Sequence, residues 1–295
     1  MHRFLRAVGF SNITTKQDMD KLLGITMDKP SVSKQILSKD GRKITELSRE
    51  FAHNTGLTVR GEYDKLGFFH VDHYFPYCYS SLITMRTEVT INRRVDTSAF
   101  TGMCDDIRMA VSVIFYLQNS VDYIKLNFTD NTPHRANLAL SGLSLTGRIL
   151  LGIEKTDDSI ERLRHETRMK RQLIIQAKNG NQDAIDNLTL DEIDLSGQLM
   201  KRIMTEDLYS IVDSTFIPYG SESDNYMIIG TILNWSLTTN PYTNEDVFLL
   251  INCNDVVMNI SINRKDLEGE PMIGRRFKGV IWMQGHADFI STSLV

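Results

Sequence analysis

From Tyr226 to Phe289 the chain runs as short apolar segments separated by clusters of Asn, Asp, Gly and Pro, a rhythm that suits closely spaced β-strands and little else. Tyr226-Met227-Ile228-Ile229, Val247-Phe248-Leu249-Leu250-Ile251 and Val256-Val257-Met258-Asn259-Ile260 are each too short for a helix of ordinary length. Residues 221–295 are therefore expected to form a small β-barrel-like domain, OB-like in strand count and length.

The first half carries a different pattern of the same kind. In Leu82–Asn92, Ile83, Met85, Val89 and Ile91 fall on one face and Thr84, Arg86, Glu88, Thr90 and Asn92 on the other, as a half-buried strand requires. Leu57–Tyr63 and Phe68–Phe75 flank Asp64-Lys65-Leu66-Gly67, whose glycine suits a hairpin turn. Ile107–Leu117 reads as a buried strand. Asn137–Ile153 alternates with a phase slip at Gly142, which predicts a bulge there. Phe4–Phe10 is expected as a short strand, Thr15–Leu23 as a helix ending near Gly24, and residues 28–43 as loop.

At Thr156 the composition changes. Asp157 and Asp158 precede Ile160, Leu163, Met169, Leu173 and Ala177 at helical spacing, and Asn179-Gly180 closes the run. Thr189-Leu190-Asp191-Glu192 has capping-box form, and a third helix is expected from Glu206 to Phe216, before Pro218-Tyr219-Gly220. The chain thus reads as an α+β protein: an antiparallel β-rich domain with one short helix over 1–154, a helical connector over 155–220, and the barrel over 221–295.

Charge narrows the partners. Residues 1–154 carry 19 Lys+Arg against 16 Asp+Glu, 155–220 carry 9 against 12, and 221–295 carry 5 against 9. No part has the cationic excess by which phosphate neutralisation binds nucleic acid, so a nucleic-acid partner is disfavoured. Cys78, Cys104 and Cys253 have no C-x-x-C spacing and are odd in number, which fits reduced thiols in the cytoplasm. No stretch has the length and apolarity of a membrane span or a secretory signal, and no membrane partner is expected.

The stretches His2-Arg3-Phe4-Leu5-Arg6-Ala7, Ile91–Asp96 through Met103–Arg108, Glu206-Asp207 to Pro218-Tyr219-Gly220, and Gly274–Gly285 carry a whole-chain resemblance. The chain resembles a family of unknown function from clostridia-like anaerobic bacteria. That resemblance implies a bacterial, cytosolic protein and transfers no catalytic residue.

Few residues have the types that chemistry needs. His70, Asp72 and His73 could serve a metal-dependent hydrolase, with His53 or Cys78 completing the set, but on a regular strand His70 and Asp72 share a face from which His73 points away. Cys104 is followed by Asp105 and Asp106, an acidic surround that suppresses a thiolate, and the two adjacent carboxylates diverge. Arg93-Arg94 and Asp96–Gly102 superficially resemble cyclic-dinucleotide receptor elements, with the glycine one residue late and the arginines too close. The aromatics Tyr63, Phe68, Phe69, Tyr74, Phe75, Tyr77 and Tyr79 read as hairpin core, and Arg162, Arg164, Arg168, Lys170, Arg171 and Lys178 as a solvated helix face. With no Walker loop or strand-linked Gly-x-Gly-x-x-Gly, no nucleotide cofactor is implied.

The preferred reading is a non-enzymatic cytosolic binding or protein-interaction protein. Its candidate surface is Arg275, Arg276, Lys278 and Trp282, where a large aromatic stands among cations on one strand and could engage a protein partner or a second copy. The alternatives are the hydrolase at His70, Asp72 and His73, and weak single-strand binding through the C-terminal barrel, where basic and stacking residues coexist with nine acidic ones.

Overall fold

The computed structural model describes residues 1–37, 41–94, 98–106, 111–126, 132–152, 168–169, 172–188, 214–221, 223–253 and 256–290. The chain opens not with a strand but with a 3-10 helix, Arg3–Val8, closed by Gly9 at φ 82. That conformation is open to glycine at little steric cost. Helix α1 (Lys16–Asp28) starts where Thr15 accepts a hydrogen bond from the Asp18 N–H, and it runs through Gly24 rather than stopping there. It buries Met19 and Leu22. The expected loop after it contains an edge strand, β1 (Val32–Leu37), whose polar alternation had no apolar face to mark it.

β1 pairs antiparallel with β2 (Lys43–Ala52), β2 with β3 (Thr55–Tyr63), and β3 with β4 (Phe69–Cys78), giving a four-stranded sheet. The turn between β3 and β4 is the expected one: Gly67 has φ 87, and the Asp64 carboxylate accepts from the Leu66 and Phe68 N–H groups, both at 2.9 Å.

The next segments are β5 (Met85–Arg93), β6 (Phe100–Asp106), β7 (Val111–Leu117), α2 (Ser120–Lys125) and the 18-residue β8 (Pro133–Leu150). After it come β9 (Thr215–Pro218), β10 (Asn225–Thr231), β11 (Trp235–Asn240), β12 (Glu245–Cys253), β13 (Val256–Asn263), β14 (Leu267–Glu268) and β15 (Arg276–Phe289). Five of these strands close a barrel. β5 pairs with β6, β6 with β7, β7 with β15, β15 with β8, and β8 with β5, all antiparallel except β7 with β15. Val89, Ile91, Cys104, Phe115, Leu138, Leu140, Ile281 and Met283 fill it. β7 and β15 share only two paired positions, and beyond them the Tyr226 hydroxyl accepts from the Ile114 N–H at 2.8 Å, capping a donor the ladder leaves unpaired.

Four ring strands therefore come from residues 85–150 and one from 276–289, which corrects the expected OB-like barrel confined to 221–295. The remaining strands of 221–295 flank the ring: β13 joins β8 in parallel and carries β12 and β11, while β10 joins β15 and carries β9. Alternation along each strand is satisfied by either arrangement, and the long-range pairing of β8 with β15 selects this one.

A second core lies outside the ring. Phe4, Leu5 and Leu22 from the first two helices, Phe10 from the segment between them, Phe51, Leu57 and Phe75 from the four-stranded sheet, and Tyr116, Leu143 and Trp282 from the barrel's outer face bury one another. This also corrects the predicted bulge. Gly142 stays in register opposite Met283, and Leu143 is apolar because β8 is covered on both faces there; the register shifts instead between Ser144 and Gly147, opposite Gly279 and Ile281. Of the helical connector, residues 172–178 and 182–188 are helical, and the expected third helix has its end in a strand, since Thr215–Pro218 is β9. Residues 153–167, 170–171 and 189–213, with the capping box at Thr189, lie outside the described residues.

Candidate functional site

The N-terminal 3-10 helix is held against the molecule by its carbonyl groups. Ser261 donates to the Ala7 carbonyl at 2.8 Å, Asn240 to that of Val8 at 3.1 Å, and Asn263 to that of Arg6 at 3.2 Å. Docked this way, it brings His2 and Phe4 onto the indole of Trp282, with ring centroids 4.7 and 5.3 Å away; Tyr116 packs on the same indole at 5.1 Å. Trp282 is 5% exposed. Its Nε1–H needs a partner when buried, and finds one in the Asp224 carboxylate at 2.9 Å.

Asp224 sits in the turn before β10, where its carbonyl accepts from the Met283 N–H at 2.8 Å. Its carboxylate also accepts from Arg94, at the end of the β5 strand, and Arg94 Nε donates to the Thr101 hydroxyl at 2.9 Å. The Arg94 guanidinium lies 5.7 Å from the Tyr116 ring centre. Above this floor opens a cleft of about 500 Å³, bounded by His2, Arg3 and Phe4 on one side, Arg94 and Thr101 on another, and Ser221 and Ser223 on the third. Burial, then the nearby charges of Arg3, the N-terminal amine and Arg94, push the His2 imidazole down to about 4. It is neutral at pH 7, and among the described residues lining the cleft the cations are Arg3 and Arg94.

A second polar cluster joins the four-stranded sheet to the barrel. β4 bulges at Asp72, because Arg60 pairs with His73 and Gly61 with Val71. The bulge corrects the expected alternation: it lets Asp72 meet His73, with Oδ2 and Nδ1 3.1 Å apart, while His73 Nε2 lies 3.1 Å from the Tyr116 hydroxyl. Burial holds His73 below its ordinary value despite Asp72, and drives Tyr116 above its own. These contacts link β4 to Tyr116 on β7. Deeper in, Arg60 Nη1 donates to Ser120 Oγ at 2.6 Å and Ser120 to Glu46 at 3.2 Å, which ties β2 and β3 to α2.

His70 turns outward to Asp64 at 2.8 Å, His53 is exposed beside Asn54, and Cys78 is enclosed, its thiol pushed up to about 12 by burial. Among the described residues no three His, Cys, Asp or Glu side chains converge as metal ligands. Cys104 faces the barrel core, with its sulfur 4.0 Å from that of Met85, and Asp105 pairs outward with Ser112. Of the hairpin aromatics Phe75 is buried while Phe68 is 65% exposed.

The four candidate surface residues do not share one surface. Arg276 is buried, with Nε donating to the Leu151 carbonyl at 2.9 Å; Arg275 bonds the Glu270 carbonyl; Lys278 is half-buried; and Trp282 forms the floor of the cleft. Of the basic helix residues, Arg168 and Lys178 are exposed and the other four lie outside the described residues, as do Val95, Asp96 and Thr97 of the Arg93–Gly102 stretch. Sequence reasoning missed His2, Asp224, Ser221 and Ser223. They are hundreds of residues apart or in a short polar turn, and only the His2–Ala7 stretch carried any signal.

Residues 5–285 match the protein family described as domain of unknown function, E. rectale gene description (DUF3881). No curated protein matches the chain, and no solved structure does.

Proposed function

Because the chain belongs to the DUF3881 family, which has no assigned activity, we propose from its geometry a non-enzymatic binding protein whose ligand seat is the cleft over Trp282. The observation that carries this reading is convergence: the N-terminal helix, the β5–β6 connection and the turn before β10 meet around one cleft. Its floor is held by the Trp282–Asp224–Arg94 contacts. Preorganised polar groups around an aromatic floor suit recognition. His2, its imidazole pushed down to about 4, is a weak base at pH 7, and the Tyr116 phenol is enclosed.

The strand order of the ring, with one parallel closure and α2 between β7 and β8, supports an OB-like description of the barrel. The cleft then sits between the loop after its first strand and the long connection between its fourth and fifth, where such barrels bind ligands. Fold analogy alone assigns no ligand. Cys78 and Cys104 stand as buried thiols, which supports a reducing, cytoplasmic setting. No helix among the described residues is long and apolar enough to cross a membrane.

The test is the Trp282 indole N–H resonance in ¹⁵N-labelled full-length protein, assigned with Trp282→Phe, during titration with pooled small metabolites. A binder should shift that resonance saturably. Pools that bind the protein while leaving it unmoved would place the seat elsewhere.

A further inference from the structure

We infer that the turn between β3 and β4 docks on an anionic lipid surface, with Leu66 and Phe68 entering the boundary of the acyl chains and Lys43 and Lys65 facing the headgroups. The inference is independent of the cleft over Trp282. Leu66, 82% exposed, is the most exposed large apolar side chain among the described residues, and Phe68, two positions on in the same turn, is 65% exposed. The turn that presents them is closed on itself. The Asp64 N–H donates to the Phe68 carbonyl at 3.0 Å, the Gly67 N–H to the Asp64 carbonyl at 3.1 Å, and the Leu66 and Phe68 N–H groups to the Asp64 carboxylate, both at 2.9 Å. This decides what surface the turn can enter. A backbone donor carried to the edge of an acyl layer finds little water to bond, so a turn that satisfies its own donors is the kind that can sit there.

The charges around the tip point to the same surface. Glu62 is paired with Arg42, Nη1 to Oε1 at 3.0 Å, and the Asp64 carboxylate is taken up by the turn and by His70 at 2.8 Å. Lys43 and Lys65 are both exposed and have no carboxylate partner among the described residues; the Lys43 Nζ lies 5.1 Å from the Tyr63 ring centre. Two such cations beside two apolar side chains match negative headgroups over hydrocarbon. Lysine stems are long enough to keep their ammonium groups among the headgroups while the apolar side chains sit deeper. A second copy of the chain fits less well, because a two-fold contact through this turn sets Lys65 against its own counterpart.

The experiment is co-sedimentation of the full-length chain with vesicles of phosphatidylcholine alone and of equal parts phosphatidylcholine and phosphatidylglycerol. Binding should be saturable on the mixed vesicles, weaker on phosphatidylcholine, and reduced by added salt. Leu66→Ser and Phe68→Ser should each weaken partitioning about tenfold, the scale of one large apolar side chain returned to water. Lys65→Gln should weaken binding to the mixed vesicles several-fold and leave binding to phosphatidylcholine unchanged. All three positions are exposed, so the melting temperature should match the parent's.

No binding to the mixed vesicles at low salt would overturn the inference, as would binding that survives Leu66→Ser and Phe68→Ser together. Equal binding to the two kinds of vesicle would overturn the part assigned to the lysines and with it the anionic surface. A dimer found by light scattering without lipid, and dissociated by the same double change, would assign the turn to a second copy of the chain instead.

Discussion

Glu46 shows how one buried acid sets a pH dependence for the whole fold. It is 4% exposed, reaches Arg60 only through Ser120, and burial outweighs the pull of Arg60 and Lys34, holding its carboxyl up at about 7. Raised above its ordinary 4.5, Glu46 binds a proton more tightly in the folded chain than in the unfolded one. Its contribution is thus fully present below pH 4.5 and is lost as pH rises through about 7. Each pKa unit corresponds to about 1.4 kcal/mol, so the effect is at most a few kcal/mol. His2 and His73, both lowered, act in the opposite sense as pH rises through 6.5, so the Glu46 part must be isolated by substitution. Urea unfolding should find Glu46→Gln close to the parent at pH 5 and gaining relative to it at pH 8; a difference independent of pH would contradict this account.

Within the barrel, strands approach closely where side chains are missing. The ring of Phe115 on β7 occupies the space left by Gly102 on β6 and Gly285 on β15, and a Cβ at either glycine would overlap it. Phe115 is fully buried. Gly285→Ala should cost about 1–3 kcal/mol, the range for overpacking a filled core. Gly274→Ala is not an equivalent control, since Gly274 has φ 84; Gly24→Ala in α1, where a Cβ meets nothing within 4 Å, is the suitable one and should be neutral or mildly stabilising. Chemical denaturation of the two variants checks the contrast, and equal stabilities would show that the barrel interior yields.

At the scale of the molecule, β15 is the strand on which the architecture closes. It pairs with β8 from Phe289↔Ala136 to Arg276↔Leu150, while β13 pairs with β8 through Asn259–Ile262. Residues 221–295 expressed alone would leave both strands without these partners, exposing backbone donors and the apolar face of Ile281 and Met283. The fragment should lack a cooperative melt by circular dichroism and regain structure only with residues 1–220. A soluble fragment melting cooperatively on its own would show that the closed ring is dispensable for its folding.

Much of the strand content was legible because it rests on local rules. Alternation found β5, Asp64 and Gly67 marked the β3–β4 turn, and the short apolar runs located β10, β12 and β13. The family resemblance was legible too, and the match over residues 5–285 bears it out. What local pattern cannot carry is partner choice. Leu143 and Trp282 look the same in sequence whether they face solvent, a partner or a second core, and here it is the four-stranded sheet and the N-terminal helix that cover them. The polar β1 edge and the bulge at Asp72 escaped for a related reason: neither disturbs the hydrophobic pattern by which strands are read. The sequence by itself determined that the chain is rich in short strands and where most of them lie. Only the tertiary structure decided which strands close the barrel and that His2, Arg94 and Asp224 meet, because hydrogen-bond ladders and buried charge pairs join residues across distances over which the chain keeps no local record.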